Sequence, residues 1–306
     1  MLPFRTRLTA SFYALLSVSF WGVSFVSAKA VLGKLDPYSL LVLRFGIGAL
    51  FLLIILLINR SRLRISVGYI PHLVVLGILG VFIHQVLQAT SLLTINASSA
   101  GWLISFSPIF TVLLSVLFLH EKMDVKKALG MLVAITGVFI VTTTRSGHSF
   151  EFALNIGFIL MILSTLNWAV YSILLKKLQI PYPALVVTFY MSLIGFILTL
   201  PFMVRNKGWE SIPLLTQTEW AHLLFLGIFV SGIGYWYWGK ALEVLDASRV
   251  SIFIYLEPLV TLIAAIILLH EKFILISAAG GIIIMIGVAI VNGGLARLVA
   301  SVIFKK

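Results

Sequence analysis

Apolar residues along the chain gather into ten long runs with short polar intervals between them, at roughly 8–30, 39–58, 73–93, 97–119, 126–143, 154–177, 184–204, 219–241, 247–269 and 275–292. At a rise of about 1.5 Å per residue, each run is long enough, or nearly so, to cross a hydrocarbon core about 30 Å thick as a helix. Backbone amides have no water partner at that depth, so helices are expected rather than open strands. The intervals leave no space for an inserted soluble domain. The longest of them, around 144–153 and 205–218, have room for an interfacial helix and little else. The pattern predicts an all-α integral membrane protein with ten transmembrane helices.

Composition narrows the reading further. A hydrophobic fraction of 61% and a charged fraction of 10% lie outside the range of soluble domains, which are about half apolar and a quarter charged. The net charge of +12 does not point to nucleic acid, because the basic residues sit in loops between apolar runs and not on a polar domain. There they act as orientation signals and meet anionic lipid. With the N-terminus inside, the cytoplasmic loops and both tails carry 14 Lys and Arg, against 5 on the opposite side. Both termini are therefore expected in the cytoplasm of a multi-pass cell-membrane protein. Arg5 and Arg7 precede the first run, which is too long for a signal-peptide core and reads as a retained span. There is no cysteine, so disulfides and thiolate metal sites are excluded.

Sliding the chain by 150 positions brings residues 96–141 over 246–291 without a gap, about a third of them identical. The matches include Pro108 with Pro258, Thr111 with Thr261, His120-Glu121-Lys122 with His270-Glu271-Lys272, Gly130 with Gly280 and Gly137 with Gly287. Earlier in each half the likeness is fainter: Trp21 pairs with Trp168, Lys29 with Lys176 and Pro37 with Pro183, at shifts of 146 or 147. Each half has five spans, an odd number, so the second copy is expected upside down. The charges agree, because Lys122, Lys126 and Lys127 of the first copy are answered by Lys272 followed by Phe273, Ile274 and Leu275. The expected organisation is a first repeat over 1–145, a second over 154–293 and a basic cytoplasmic tail at 294–306. Inverted repeats recur in secondary transporters, with the substrate between the halves near the midplane.

The block from Tyr235 to Val291, its counterpart at 96–141, and the stretches FWGVSFVSAKAVL (20–32) and PYSLLVLRFGIGAL (37–50) resemble the EamA family of the drug/metabolite transporter superfamily. That resemblance covers nearly the whole chain. It implies a ten-span fold, usually without an ATPase, that moves metabolites such as amino acids and often exports them.

Several residues stand out as chemistry within the spans. Glu257 lies near the middle of the ninth run, where a charged carboxylate costs on the order of 3 kcal/mol. It is a candidate proton or cation site, the alternatives being a buried ion pair or a watery mouth. Pro108 and Pro258 interrupt the fourth and ninth runs and are expected to free the carbonyls of Ile104 and Ile254, giving either a hinge or a static bend. Trp21 and Trp168 sit too deep for the interfacial belt. With Trp102, Tyr190, Tyr255 and the run Tyr235-Trp236-Tyr237-Trp238 they form either an aromatic cage for a substrate or plain packing surface. His84 and Gln88 share a face of the third run, with Gln85 beside them, and are expected to face the interior. Arg44 and Lys29 are expected to snorkel or to form structural ion pairs, with a substrate carboxylate as the alternative. Glu121 and Glu271, with their His and Lys neighbours, read as span-end caps or gating groups. The candidate substrate site is therefore Trp21, His84, Gln88, Trp168, Tyr190, Trp238, Tyr255 and Glu257.

No Walker A motif or nucleophile elbow is present, and no second His follows His120 or His270 at metalloprotease spacing. No catalytic residue, metal or cofactor is expected. The leading expectation is a secondary transporter that exports an amino acid or related small metabolite by alternating access, in the lipid bilayer, as a monomer or homodimer, with proton coupling as a candidate drive. An organic-cation carrier using Trp21, Trp168 and Glu257 is the second reading, and a lipid-handling or sensory membrane subunit the third.

Overall fold

The computed structural model describes residues 4–61, 63–118, 125–143, 155–178, 180–244 and 252–291. They form eleven α-helices, with no β-strand among the described residues. In chain order these are α1 (Phe4–Val31), α2 (Pro37–Ile58), α3 (Val67–Ser91), α4 (Ala97–Ile104), α5 (Ser107–Phe118), α6 (Val125–Thr143), α7 (Ile156–Leu178), α8 (Ala184–Arg205), α9 (Gln217–Val244), α10 (Glu257–Leu269) and α11 (Leu275–Val291). Five of them, α1, α2, α3, α8 and α9, are long and apolar enough to cross a membrane, and α6, α7, α10 and α11 carry shorter apolar stretches.

Polarity is arranged inside out relative to a soluble protein. Leu50, Ile54 and Leu57 on α2, Leu132 and Phe139 on α6, and Ile263 and Ile267 on α10 are exposed. Arg44, His84, Gln85, Gln88, Ser164 and Glu257 are buried. Lipid accepts the first set, while the second must find partners inside the bundle.

The prolines of the fourth and ninth runs act at breaks and not within continuous helices. The fourth run splits into α4 and α5 at Ser105-Phe106, and Pro108 is the second residue of α5. The ninth enters through a tight 3₁₀ turn, Ile252–Leu256, and Pro258 is the second residue of α10. A proline in the first helical turn lacks only an amide that has no intrahelical partner there. The expected kink within a helix is thus replaced by a fresh helix start.

Two long helices change pitch instead. α3 contains a π-helical stretch at Ile78–Ile83, and α9 contains one at Phe225–Gly234. Such wide turns re-aim the residues that follow and concentrate at functional sites. The residues that follow are His84 and Gln85 on α3 and Tyr235 on α9.

The connections gather at two ends. At one, Asp36 caps α2 by accepting from Tyr38 N at 3.0 Å and Ser39 N at 3.3 Å, and Lys34 pairs with Glu219 at 3.0 Å. Asn155 Nδ2 donates there to Thr94 O at 3.1 Å. Glu271 caps α4, accepting from Ala97 N at 2.9 Å and Ser98 Oγ at 2.6 Å. His270 precedes it in the left-handed region at φ 52°, which costs a non-glycine residue about 1 kcal/mol and ends α10. The described half of the His-Glu-Lys pair is therefore a helix cap. His120, Glu121 and Lys122 lie outside the described residues. At the other end Tyr190 Oη donates to Leu63 O at 2.6 Å and Ser66 N donates to Tyr182 Oη at 2.9 Å.

Contacts between the first and second parts of the chain recur in reciprocal pairs. On α6 and α11, a Cβ built on Gly137 would lie 2.6 Å from Gly280 O, and one built on Gly287 would lie 2.6 Å from Gly130 O. At an offset of 150 these are one contact stated twice. Ser17 Oγ lies 2.8 Å from Gly234 O, and Ser164 Oγ lies 3.3 Å from His84 O; 17 and 164 differ by 147, and 84 and 234 by 150.

Candidate functional site

α1, α2, α3, α5, α7, α9 and α10, with the end of α4, converge on a small cavity of about 40 Å³. Trp21, Arg44, His84, Gln85, Gln88, Trp168, Tyr235 and Glu257 line it, together with Ser24, Phe25, Ile104, Ser107 and Ile254. The wide turns of α3 and α9 deliver His84, Gln85 and Tyr235 to this wall, and the fresh start of α10 delivers Glu257 as its first residue.

One side of the wall is a fixed cation. Arg44 is only 4% exposed, donating through Nε to Ser231 Oγ at 2.8 Å and through Nη1 to Gln85 Oε1 at 2.8 Å. Gln85 Nε2 in turn donates to Tyr235 Oη at 3.1 Å. The guanidinium keeps its charge, and hydrogen bonds hold its plane. It neither snorkels nor ion-pairs, contrary to the sequence expectation: it is enclosed on every side, and among the described residues the only ion pair is Lys34 with Glu219. Lys29 also differs, spending its ammonium on the carbonyls of Leu92 and Ile95 at the end of α3.

A second cluster centres on His84. His84 Nδ1 lies 2.8 Å from Ser164 Oγ, whose hydroxyl also reaches His84 O at 3.3 Å, and His84 Nε2 lies 3.1 Å from Gln88 Nε2. The imidazole lies 4.8 Å from the Trp168 ring.

Glu257 is different. It is 5% exposed, and among the described residues none gives its carboxylate a hydrogen bond or an ion pair. Only its backbone is held: Thr261 Oγ1 lies 2.9 Å from both Glu257 O and Gly22 O. A Cβ on Gly22 would come within 2.8 Å of Val260 Cβ, so α1 and α10 meet backbone to side chain at this turn. The aromatic wall is continuous, with Trp21 edge-on to Trp168 at 6.0 Å and to Tyr235 at 5.4 Å. The Trp21 Nε1 donor is buried and has no partner among the described residues.

Of the eight residues expected at the site, Trp21, His84, Gln88, Trp168 and Glu257 line this cavity. Trp238 does not: it packs behind Trp21 at 5.0 Å, on the α1 side of α9. Tyr190 does not either, because its hydroxyl is drawn to Leu63 O at one end of the bundle. The side chain of Tyr255 lies outside the described residues. Arg44, Gln85 and Tyr235 are wall residues absent from the expected set. Gln85 neighbours His84, and Tyr235 opens an aromatic run, so both carried a signal, but only the pitch change in α3 and α9 selects them. No group of three metal-ligating side chains occurs among the described residues.

The model of the EamA-like transporter family matches the chain twice, over residues 8–143 and 155–293. The chain belongs to the EamA-like transporter family. It is a membrane transporter of that family. An uncharacterized transporter of Archaeoglobus fulgidus is 31% identical over 279 residues, covering 90% of this chain and 96% of its own length. A probable terminal-alkyne amino-acid exporter of Streptantibioticus cattleyicolor is 27% identical over 291 residues, with 94% of each chain covered. A solved crystal structure matches with a TM-score of 0.69 at 21% identity over 97% of this chain and 98% of that one, a likeness of fold. The two named relatives match nearly the whole length of this chain.

Proposed function

We propose that this EamA protein is a secondary transporter that exports a small zwitterionic metabolite, an amino acid or close relative, by alternating access. The observation that carries the reading is that Arg44 and Glu257 line one cavity and do not pair with each other. A fixed guanidinium matches a carboxylate through a planar fork, and an unpartnered buried carboxylate matches an ammonium. Trp21, Trp168 and Tyr235 give the space between an apolar and aromatic character suited to a side chain.

Alternating access follows from two five-span halves of opposite orientation, ten spans in all, with both termini in the cell's interior. The reciprocal contacts at Gly137 and Gly287, and at Ser17 and Ser164, support that reading, as do the two matches to one family model. A relative named as an amino-acid exporter supports both the substrate class and the direction.

The organic-cation reading is weaker on one specific point. A cation attracted to Glu257 would share its cavity with the permanent charge of Arg44, with which it cannot pair. Proteoliposomes offered a panel of labelled amino acids, carboxylates and amines distinguish the two. Uptake of zwitterions above empty vesicles is expected. Transport of amines alone, or of no solute in the panel, would overturn the proposal.

A further inference from the structure

The cavity holds two opposite charges of unequal kind. Arg44 is anchored by Ser231 and Gln85 and stays charged whether or not a substrate is present. Glu257 has no such anchor, and leaving a bare carboxylate in a dry bundle is unfavourable. Its charge must be met by something that comes and goes. The other ionisable groups on the wall are already engaged: His84 from α3 is bonded at both ring nitrogens, and Tyr235 from α9 holds Gln85. α1, packed against α10, offers Trp21, Ser24 and Phe25, its Lys29 being tied to the carbonyls of Leu92 and Ile95. α4 offers Ile104, and the following turn of α10 offers Thr261, whose hydroxyl is held by two carbonyls.

We infer that Glu257 is a shared site, filled in turn by the ammonium group of the substrate and by a proton, so that each zwitterion moved one way is exchanged for one proton moved the other. This rests on the transport reading above. The step balances simply. The ammonium leaves with its own protons, a proton from water on the far side forms an O–H bond to the Glu257 carboxylate, and that bond breaks again when the next ammonium arrives. No redox partner is involved.

The charge of the cavity sets the energetics. With a zwitterion bound, the charges of Arg44, Glu257 and substrate sum to zero. With a proton in its place the site carries +1. One positive charge therefore returns inward for each molecule exported, and both the membrane potential and the pH difference drive export. One charge across about 100 mV sustains roughly a fifty-fold gradient of substrate, and each pH unit sustains about tenfold more.

The test uses the full-length protein in vesicles that trap a pH-reporting dye, with labelled L-leucine as the zwitterion probe. With the inside about two pH units more acidic and the potential clamped at zero, leucine is expected to accumulate up to about a hundredfold, and the lumen should turn alkaline as it enters. Glu257→Gln should lose both accumulation and proton flux, and Glu257→Asp should keep both. Net leucine entry in the wild-type protein with no proton leaving the lumen would overturn the inference while leaving the transport reading intact. Proton flux persisting in Glu257→Gln would equally overturn it. No leucine exchange in wild-type vesicles would remove the transport reading for this probe, and this inference with it. The wild-type measurement stands even if a variant fails to fold.

Discussion

Trp21 and Trp168 meet edge to face at the wall of the central cavity, with centroids 6.0 Å apart and planes at 77°. They lie 147 positions apart in the chain, and they bring α1 and α7 together beside the cavity. Trp168 also covers the His84 ring, and Trp21 covers Tyr235. Truncating either to alanine is expected to lower stability by about 3 kcal/mol. Because the rings touch, the double variant should cost less than the two singles together. Thermal unfolding of the four detergent-solubilised proteins completes the cycle, and strict additivity would remove the coupling claimed here.

Arg44 offers a sharper functional prediction. Lysine keeps the charge but has a compact ammonium on a flexible stem, and it cannot reproduce the fork that reaches Ser231 and Gln85 together. Arg44→Lys is expected to raise the KM for leucine about tenfold, a loss of roughly 1.4 kcal/mol of binding. Arg44→Gln should abolish saturable leucine uptake while improving inhibition by isoamylamine, an amine without a carboxylate. Unchanged inhibition by the amine would show that Arg44 does not sense charge in the cavity.

These residues also mark the boundary of what the sequence discloses. The apolar runs identify membrane helices because their length is set by the thickness of lipid. Glu257, Trp21, Trp168, His84 and Gln88 announce themselves because polar or bulky aromatic groups at that depth need a reason to be there. Arg44 was misread for the opposite cause. Sequence shows a cation in an apolar run but not whether a partner waits inside, and Ser231, which holds it, is 187 positions away. The wide turns in α3 and α9 have no sequence signature in Ile78–Ile83 or Phe225–Gly234 that separates them from ordinary helix, yet they aim Gln85 and Tyr235. The helix starts at Ser107 and Glu257 were half legible, since Pro108 and Pro258 mark an interruption without saying whether the chain kinks or breaks.

The crossing of α6 and α11 should be intolerant of even one methyl group. A Cβ on Gly287 would collide with the Ala134 amide and lie 2.6 Å from Gly130 O, while one on Gly137 would lie 2.6 Å from Gly280 O. All three of these atoms belong to backbone, so relief requires the helices to separate. Gly137→Ala and Gly287→Ala are expected to destabilise the protein by about 2 kcal/mol each, within the range for overpacking. Gly68→Ala, with no atom within 4 Å of the new Cβ, is the neutral control. Equal melting temperatures for Gly68→Ala and Gly287→Ala would contradict the close crossing.

Glu271 joins the segment after α10 to the start of α4, where it accepts from two amides and the Ser98 hydroxyl. The unsatisfied amides at a helix start favour negative charge. Glu271→Gln keeps the shape but loses the charge, and is expected to cost about 1 kcal/mol. Glu271→Ala should cost more, because it removes the acceptor altogether. Glu210→Gln, at an exposed site, should leave the melting temperature unchanged. A shift no larger for Glu271→Ala than for this control would show that the cap contributes nothing.

Orientation in the membrane can be tested with single thiols, because the chain has no cysteine of its own. Lys34 is exposed between α1 and α2, at the end that also holds Glu219 and Glu271. Ser66 is exposed just before α3, at the end that holds Tyr182. The 22 residues of α2 between them rise about 33 Å, enough to place the two positions on opposite sides of the bilayer. Losing the exposed pair with Glu219 should cost Lys34→Cys less than about 1 kcal/mol, and Ser66 contributes its backbone amide to the Tyr182 bond, which cysteine retains. With basic loops and both tails inside, a membrane-impermeant maleimide applied to intact cells should label Lys34→Cys and spare Ser66→Cys until the cells are permeabilised. The reverse pattern would overturn the expected orientation, placing the basic loops and both tails outside.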